Sequence, residues 1–184
     1  MMFDKITGEL TMKILLVSLL FLFSFNAVNA ATRDAEKYFF DAKIGDFKSE
    51  LAIAKKEGKK GILLMYELDD CPFCFRMKQT ILNQSEVQDY YRKNFLIFAV
   101  DLKGDVAMVD FKGKETTEKA FGVEQRIYGT PVFDFFDLDG NRLARFPGAA
   151  KDVNEFLQLG QYVVDGAYKT MPFAKYKRQG QDAK

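Results

Sequence analysis

Two cysteines, Cys71 and Cys74, are the only ones in this chain, and Pro72 and Phe73 stand between them. They lie where a strand-like segment passes into a helix-like one. The apolar run from Gly61 to Leu68 predicts a buried strand, and Pro72 fits the first turn of a helix. Cys71 is therefore expected at a helix N-terminus, where unpaired amide N–H groups and the helix dipole favour a thiolate. The thiolate is the form of cysteine that attacks disulfides.

The Cys-x-x-Cys spacing alone fits half a zinc site, a structural disulfide or a redox pair. A structural zinc site needs four cysteine or histidine ligands, and this chain has two cysteines and no histidine. A structural disulfide that closes so short a loop constrains the unfolded chain very little. The strand–Cys-x-x-Cys–helix context therefore favours a redox-active disulfide that works without a separate cofactor or metal. An inert bridge is the alternative.

Composition sets the broad class of the protein. The 184 residues carry 27 basic and 26 acidic side chains, so charge gives no reason to expect binding to nucleic acid. Hydrophobic residues make up 48% of the chain, which is ample for the core of one domain.

The first 30 residues have the pattern of a secretory signal peptide. Lys13 supplies a basic start, Ile14–Phe25 is mostly apolar, and small residues follow. The apolar run is shorter than the ~20 residues of a membrane span. We expect a cleaved signal and a mature protein in the periplasm or another exported compartment that tolerates disulfides. An uncleaved anchor is the alternative, and either Met1 or Met12 can be the true start.

The other segments predict alternating helices and strands. Asp46 is expected to cap a helix that runs to Gly58, and its apolar face is predicted to contain Phe47, Leu51, Ile53 and Ala54. Ser85 is expected to cap a short helix, and Phe95–Leu102 resembles a buried parallel strand. In the C-terminal half, the sequence predicts an inserted loop with a small hairpin at Lys103–Glu115 and then a helix that starts at Thr116 or Thr117 and ends at Gly122, with core positions at Val123 and Ile127. Two strands follow, Val132–Leu138 and Arg142–Phe146, joined by a hairpin turn at Asp139–Gly140. A final helix is predicted from Asp152, and the polar tail, Tyr168–Lys184, is expected to fray at its end.

These residues together resemble the thioredoxin superfamily. The resemblance rests on the strand–Cys-Pro-Phe-Cys–helix segment and on Gly129-Thr130-Pro131, which leads into a strand and a hairpin. More narrowly, the chain is similar to exported thioredoxin-related proteins of the SoxW type. The narrower likeness rests on Glu67, on Lys114–Lys119 and on Tyr162–Thr170.

The resemblance implies an α/β thioredoxin fold, a central mixed β-sheet flanked by helices, here with an N-terminal helical extension. Residues 31–184 would form a single domain with its core at about residues 40–167. Pro131 would be cis and face the cysteines, and Thr130 would offer its backbone to a substrate strand. Pro72 and Phe73 are expected on the same substrate-binding surface, and half-buried packing is the alternative for Phe73.

Two departures from ordinary thioredoxins bear on the chemistry. The motif is Cys-Pro-Phe-Cys instead of Cys-Gly-Pro-Cys, and Met65 stands where thioredoxins keep a buried aspartate. Glu67 is the nearest candidate to replace that aspartate as proton acceptor for Cys74. The alternative for Glu67 is a solvated or salt-bridged residue at a strand end, and Asp69-Asp70 is expected to form a solvated turn.

The resemblance thus implies a thiol–disulfide oxidoreductase that reduces disulfides of partner proteins. Cys71 would attack the partner's disulfide, and Cys74 would resolve the mixed disulfide. A membrane thiol electron donor would restore the dithiol, and the protein would act as a monomer without metal or nucleic acid. Two alternatives stay open: a disulfide oxidant or isomerase, and a non-catalytic interaction module with the same fold.

Overall fold

A four-stranded mixed sheet is the centre of the structure, a computed structural model that describes residues 31–42 and 45–182. Its strands lie in the order β2-β1-β5-β6. They comprise β1 (Gly61–Glu67), β2 (Phe95–Asp101), β5 (Val132–Phe136) and β6 (Arg142–Pro147). β1 runs parallel to β2 and antiparallel to β5, which pairs antiparallel with β6. The predicted α/β arrangement with a central mixed sheet is therefore confirmed. The predicted signal peptide at residues 1–30 lies outside the described residues.

Helices pack on both faces of this sheet. They are α1 (Ala35–Tyr38), α2 (Phe47–Lys56), α3 (Pro72–Thr80), α4 (Ser85–Asn94), α5 (Glu118–Glu124), α6 (Val153–Val164) and α7 (Phe173–Asp182). A short 3₁₀ helix lies at Ala167–Lys169, and β3 (Ala107–Val109) pairs with β4 (Glu115–Thr117) as the small hairpin expected in the insert.

The continuously apolar sequence of β1 follows from its central place in the sheet. A strand covered by helices on both faces has no solvent side, so every position favours an apolar residue. Side chains of Leu63 and Met65 enter the core shared with Cys74 and Phe156. Those of alternate residues enter a second core that contains Ile62, Leu64, Tyr66, Phe47, Phe98 and Phe121. The two cores hold β1 firmly, and β1 in turn fixes the loop that carries Cys71.

Helix α5 runs through Gly122, the residue at which the sequence predicts its end. Its end is a Schellman motif, in which the Arg126 N–H donates to Val123 O at 2.9 Å and the Ile127 N–H donates to Gly122 O at 3.1 Å. Arg126 takes the left-handed position that glycine usually occupies, with φ of 58°. The missing glycine explains why the sequence placed the helix end too early.

Other corrections concern faces and caps of helices. Val123 is 71% exposed, because the longer helix turns it to solvent, whereas Ile127 is buried as predicted. Ile53 likewise lies on the exposed side of α2. The cap of α4 is Gln84 instead of Ser85, and its side chain makes no capping hydrogen bond. Thr117, one of the two predicted alternatives, caps α5 by accepting from the Ala120 N–H at 3.2 Å.

The C-terminal segment, expected to be a polar tail, forms helix α7 and packs on α6. Phe173 and Tyr176 pack against the core that contains the cysteines. The Tyr162 hydroxyl donates to Met171 O at 2.7 Å, and the Tyr176 hydroxyl donates to Asp165 at 3.0 Å. Two aromatic anchors in an otherwise polar segment are thus enough to dock it. Helix α6 is therefore not the last helix.

The N-terminal extension lies along the outer edge of β2 and across α4. Asp41 both donates its N–H to Ile97 O at 2.8 Å and accepts from the Ile97 N–H at 2.8 Å. The Ser85 N–H donates to Ala31 O at 2.9 Å, and Thr32 bridges to Gln84. The extension thereby covers a sheet edge whose backbone groups would otherwise be exposed.

Candidate active site

Cys71 and Cys74 form a disulfide at the start of α3, with their Cα atoms 5.3 Å apart. Cys71 caps this helix, and its Sγ accepts a hydrogen bond from the Cys74 N–H at 3.0 Å. Pro72 occupies the first turn, as predicted. Cys71 is 8% exposed and Cys74 2% exposed, so Cys71 is the sulfur that a partner reaches more easily. After reduction, the N–H groups and dipole of the helix would stabilise a thiolate on Cys71.

Pro131 lies at the same end of the sheet as the disulfide. Tyr66 near the end of β1 pairs with Val132 at the start of β5. Because these strands are antiparallel, the residues that follow β1 and those that precede β5 meet at the same end of the sheet. The Thr130–Pro131 peptide bond is cis, as the resemblance implied. The Gly148 N–H donates to Pro131 O at 2.8 Å, which ties the proline to the residue after β6.

The residues just before this proline are open to solvent. Tyr128 is 92% exposed. The backbone of Tyr128, Gly129 and Thr130 forms no hydrogen bond with any other residue of the described ranges. The segment borders a groove of about 380 Å³, which Pro131 and Arg145 also line. An extended strand from another protein could use these free N–H and C=O groups.

A pocket of about 230 Å³ opens on the other side of the cysteines. Its walls include both cysteines, Glu67, Lys78 and the start of the N-terminal extension, Asp34–Glu36. The Lys78 ammonium lies 2.6 Å from a carboxylate oxygen of Glu67 and 2.6 Å from one of Glu36. The pocket therefore holds two carboxylates that share one ammonium group.

Burial and hydrogen bonds together set the pKa values of Glu67 and Lys78. Loss of water raises the pKa of Glu67 above its usual value, although the hydrogen bond from Lys78 opposes that rise. Burial disfavours the charged form of Lys78, but hydrogen bonds to Glu36 and Glu67 outweigh it and raise the Lys78 pKa. Glu67 is thus salt-bridged, as the alternative interpretation expected, and it also lies in the same pocket as Cys74. Met65, by contrast, is fully buried and apolar.

Sequence reasoning missed Lys78 and Glu36. Lys78 was predictable in part, because it follows Cys74 by one helical turn and so shares a face of α3 with it. Glu36 was not, because it belongs to a segment distant in sequence that only the fold brings to the pocket.

The surface around the disulfide is apolar on one side and charged on the other. Phe73 is 60% exposed and Phe75 is 66% exposed. Asp69 and Asp70 are exposed as predicted, and Asp70 pairs with Lys103 at 3.1 Å. The hydrogen bond from Lys103 lowers the pKa of Asp70.

Within residues 31–42 and 45–182, no group of three or more histidine, cysteine, aspartate or glutamate side chains is arranged so that it could hold a metal ion. No helix in that part of the chain is long and apolar enough to cross a membrane.

Comparison with known proteins places the chain in a family. Residues 47–164 match the family of thioredoxin-like domains, and the chain belongs to it. A thioredoxin-fold protein from Helicobacter pylori has a similar structure, with a TM-score of 0.57 and 20% identity over 69% of this chain and 88% of that one. A thioredoxin from Thermus thermophilus gives a TM-score of 0.51 and 22% identity over 65% and 84%. No curated protein sequence matches the chain.

The family, the fold and the disulfide at the Cys-x-x-Cys motif together define a thiol–disulfide oxidoreductase. A protein of this class acts through redox partners, which exchange electrons with its cysteine pair.

Proposed function

We propose that the protein is an exported reductant of protein disulfides. The observation that carries this proposal is the disulfide at the N-terminus of α3, which lies at the same end of the sheet as the solvent-open Tyr128–Thr130 segment. A partner strand would pair with the backbone of Thr130, next to Pro131, while Pro72 and Phe73 contact the partner from the helix side.

The proposed reaction starts from the reduced dithiol. The Cys71 thiolate attacks one sulfur of the partner's disulfide, forms a mixed disulfide and expels the other sulfur as a thiolate. Cys74 loses its proton and attacks Cys71, which forms the Cys71–Cys74 disulfide and releases the partner's second thiol. Two electrons pass to the partner, and a membrane dithiol donor is proposed to return two electrons to the oxidised pair.

The charges around Cys71 support the reducing direction. A strong oxidant such as DsbA is one whose reduced form is stabilised. Here Asp69 and Asp70 come directly before Cys71, and Phe73 provides no positive charge between the cysteines. The Asp69-Asp70 turn is exposed and Asp70 pairs with Lys103, so its charge disfavours the Cys71 thiolate only modestly, in the direction that stabilises the disulfide state.

Glu67 is proposed as the group that accepts the proton of Cys74. It lines the same pocket as Cys74, and its raised pKa keeps its basicity closer to that of a thiol. Lys78 would hold the carboxylate in place during the transfer.

Replacing Glu67 by glutamine should slow the resolving step on the order of 100-fold at neutral pH. The wild-type rate should fall as the pH drops through the raised pKa of Glu67, because only the carboxylate accepts a proton. This fall should be missing in Glu67→Gln. Reduced protein mixed with dithionitrobenzoate separates the steps: Cys71 releases the first coloured thiolate and Cys74 the second.

Asp70→Asn is the matched control, because it removes an exposed carboxylate near Cys71 that does not line the pocket. It should leave the second release unchanged. An unaltered pH–rate profile for that release in Glu67→Gln would remove Glu67 from the mechanism.

Export and the physiological partner are also part of the proposal. The basic start, apolar run and small residues within 1–30 support a cleaved signal and a periplasmic site. The resemblance to SoxW-type proteins suggests a sulfur-oxidation carrier protein as a disulfide substrate. A single domain at residues 31–184 would act as a monomer.

The reduction potential of the Cys71–Cys74 pair tests the direction of electron flow. We expect a value near the ~−270 mV of thioredoxin when the domain is titrated against defined dithiol buffers. A value near the ~−120 mV of DsbA would mean an oxidant. A pair that does not exchange at all would identify a non-catalytic module.

A further inference from the structure

We propose that Arg145 is a positioning residue that holds the substrate-binding loop, residues 126–131, in the conformation that receives a partner strand. It does so by joining the buried carboxylate of Asp134 to the backbone carbonyl of Gln125. This inference rests on the proposed function of Thr130 and Pro131.

The first half of this link is an ion pair between a half-buried arginine and a buried carboxylate. Asp134 lies in the middle of β5 and is fully buried. Arg145 lies in the neighbouring strand β6, directly opposite Asp134. The Arg145 Nε–H donates to Oδ1 at 2.7 Å, and its Nη2–H donates to Oδ2 at 2.5 Å. This two-bond contact uses the planar fork of arginine and fixes the direction of the guanidinium.

The second half is a bond to the end of α5. The Arg145 Nη2–H also donates to Gln125 O at 2.9 Å. Gln125 directly follows the helix, where carbonyl oxygens lack intrahelical partners and the dipole is negative. A positively charged group such as the Arg145 guanidinium is therefore favoured at this C-terminal end of α5. The sheet and the C-terminal end of α5 are therefore joined through one side chain.

The substrate-binding loop runs from this bond, through the Schellman bonds of Arg126 and Ile127 at the end of α5, to a second fixed point. At its far end, Pro131 O accepts from the Gly148 N–H at 2.8 Å. Between the two ends, Tyr128–Thr130 has no backbone hydrogen bond to the rest of the described chain. The ends must therefore set its conformation, and Arg145 itself lines the groove beside it.

Such a link should matter for binding more than for the redox chemistry. A loop already held in its bound conformation loses less conformational entropy when a partner strand pairs with it. A small disulfide needs only the cysteine and no strand pairing. Loss of Arg145 should thus weaken the reaction with protein disulfides and spare the reaction with small ones.

Two variants test this, because a buried carboxylate that loses its arginine partner can prevent folding. Arg145→Lys keeps the charge opposite Asp134 but loses the fork that reaches both groups. The double variant Asp134→Leu with Arg145→Leu removes both charges and leaves an apolar pair, a change that buried ion pairs often tolerate. Arg142→Gln is the matched control, since Arg142 faces the same carboxylate at 3.7 Å but does not contact Gln125 O.

Kinetics with dithiothreitol as donor provide the first readout. For insulin as the disulfide substrate, KM should rise about tenfold in both Arg145 variants, the change expected for loss of one charge-assisted hydrogen bond. The kcat value, and the rate with dithionitrobenzoate, should match wild type and Arg142→Gln. An insulin KM equal to that of wild type would overturn the proposal, and so would an equal loss with both substrates.

Hydrogen exchange gives a second readout that needs no activity. The Ile127 and Gly148 amides, which bond to Gly122 O and Pro131 O, should exchange faster in the Arg145 variants. The Leu63 amide in β1 should not change. Unaltered exchange at Ile127 and Gly148 would overturn the proposal. If wild-type protein reduces neither disulfide, the proposed function fails, while exchange still decides whether Arg145 holds the loop.

Discussion

Replacing Cys71 by serine should lower the rate of disulfide reduction by a factor on the order of 10³ or more. A serine hydroxyl is not ionised at neutral pH and does not exchange with disulfides, whereas the position at the start of α3 favours a thiolate. The measurement is the reduction of insulin by dithiothreitol with catalytic amounts of each protein. Retained turnover in Cys71→Ser would show that Cys71 is not the attacking residue.

Cys74→Ser separates attack from resolution. The fold buries Cys74 behind Cys71, so this variant should still attack a partner but should be unable to release it. A mixed disulfide that survives in non-reducing gels and disappears with dithiothreitol is the expected product. If Cys71→Ser formed this adduct and Cys74→Ser did not, the two roles would have to be exchanged.

Replacing Gly61 by alanine should lower the free energy of unfolding by about 3 kcal/mol, because it forces apart two paired strands. A methyl group there would overlap the carbonyl oxygen of Phe136 and lie 3.0 Å from its carbonyl carbon and 3.3 Å from the Cα of Asp137. All three are backbone atoms, so no side-chain rotation relieves the clash. Denaturation in urea, with the disulfide intact, measures the loss.

Gly129→Ala is the control for this experiment, because no heavy atom beyond its neighbours in the chain lies within 4 Å of the added methyl group. Its stability should stay within about 1 kcal/mol of wild type. A Gly61→Ala protein as stable as Gly129→Ala would show that β1 and β5 can shift at small cost. Such a shift would also move Cys71 relative to Pro131, since these two strands set their positions.

The sequence predicts the sheet and its redox pair well, because both depend on local patterns. Continuous apolar runs mark β1 and β2, and a proline after Cys71 marks the start of α3. The cis peptide bond at Pro131 was inferred from the resemblance, since local sequence does not determine it.

Features that depend on tertiary contacts were not predictable in this way. The end of α5 was misplaced, because Arg126 adopts the left-handed conformation that a glycine normally signals. Helix α7 was not predicted, because its composition is mostly polar and only two aromatic residues, Phe173 and Tyr176, dock it on the core. The shared ammonium of Lys78 joins residues from three separate segments, and no periodic pattern connects them.

The N-terminal extension has a practical consequence for defining the smallest working unit of this protein. The family match begins at residue 47, yet Asp34–Glu36 form part of the pocket beside the cysteines. A protein trimmed to the matched residues would keep both cysteines and all four strands of the sheet. It would lose the wall of that pocket and one of the two carboxylates on Lys78, and it would uncover the edge of β2. The boundaries of the family match are therefore narrower than the boundaries of the site.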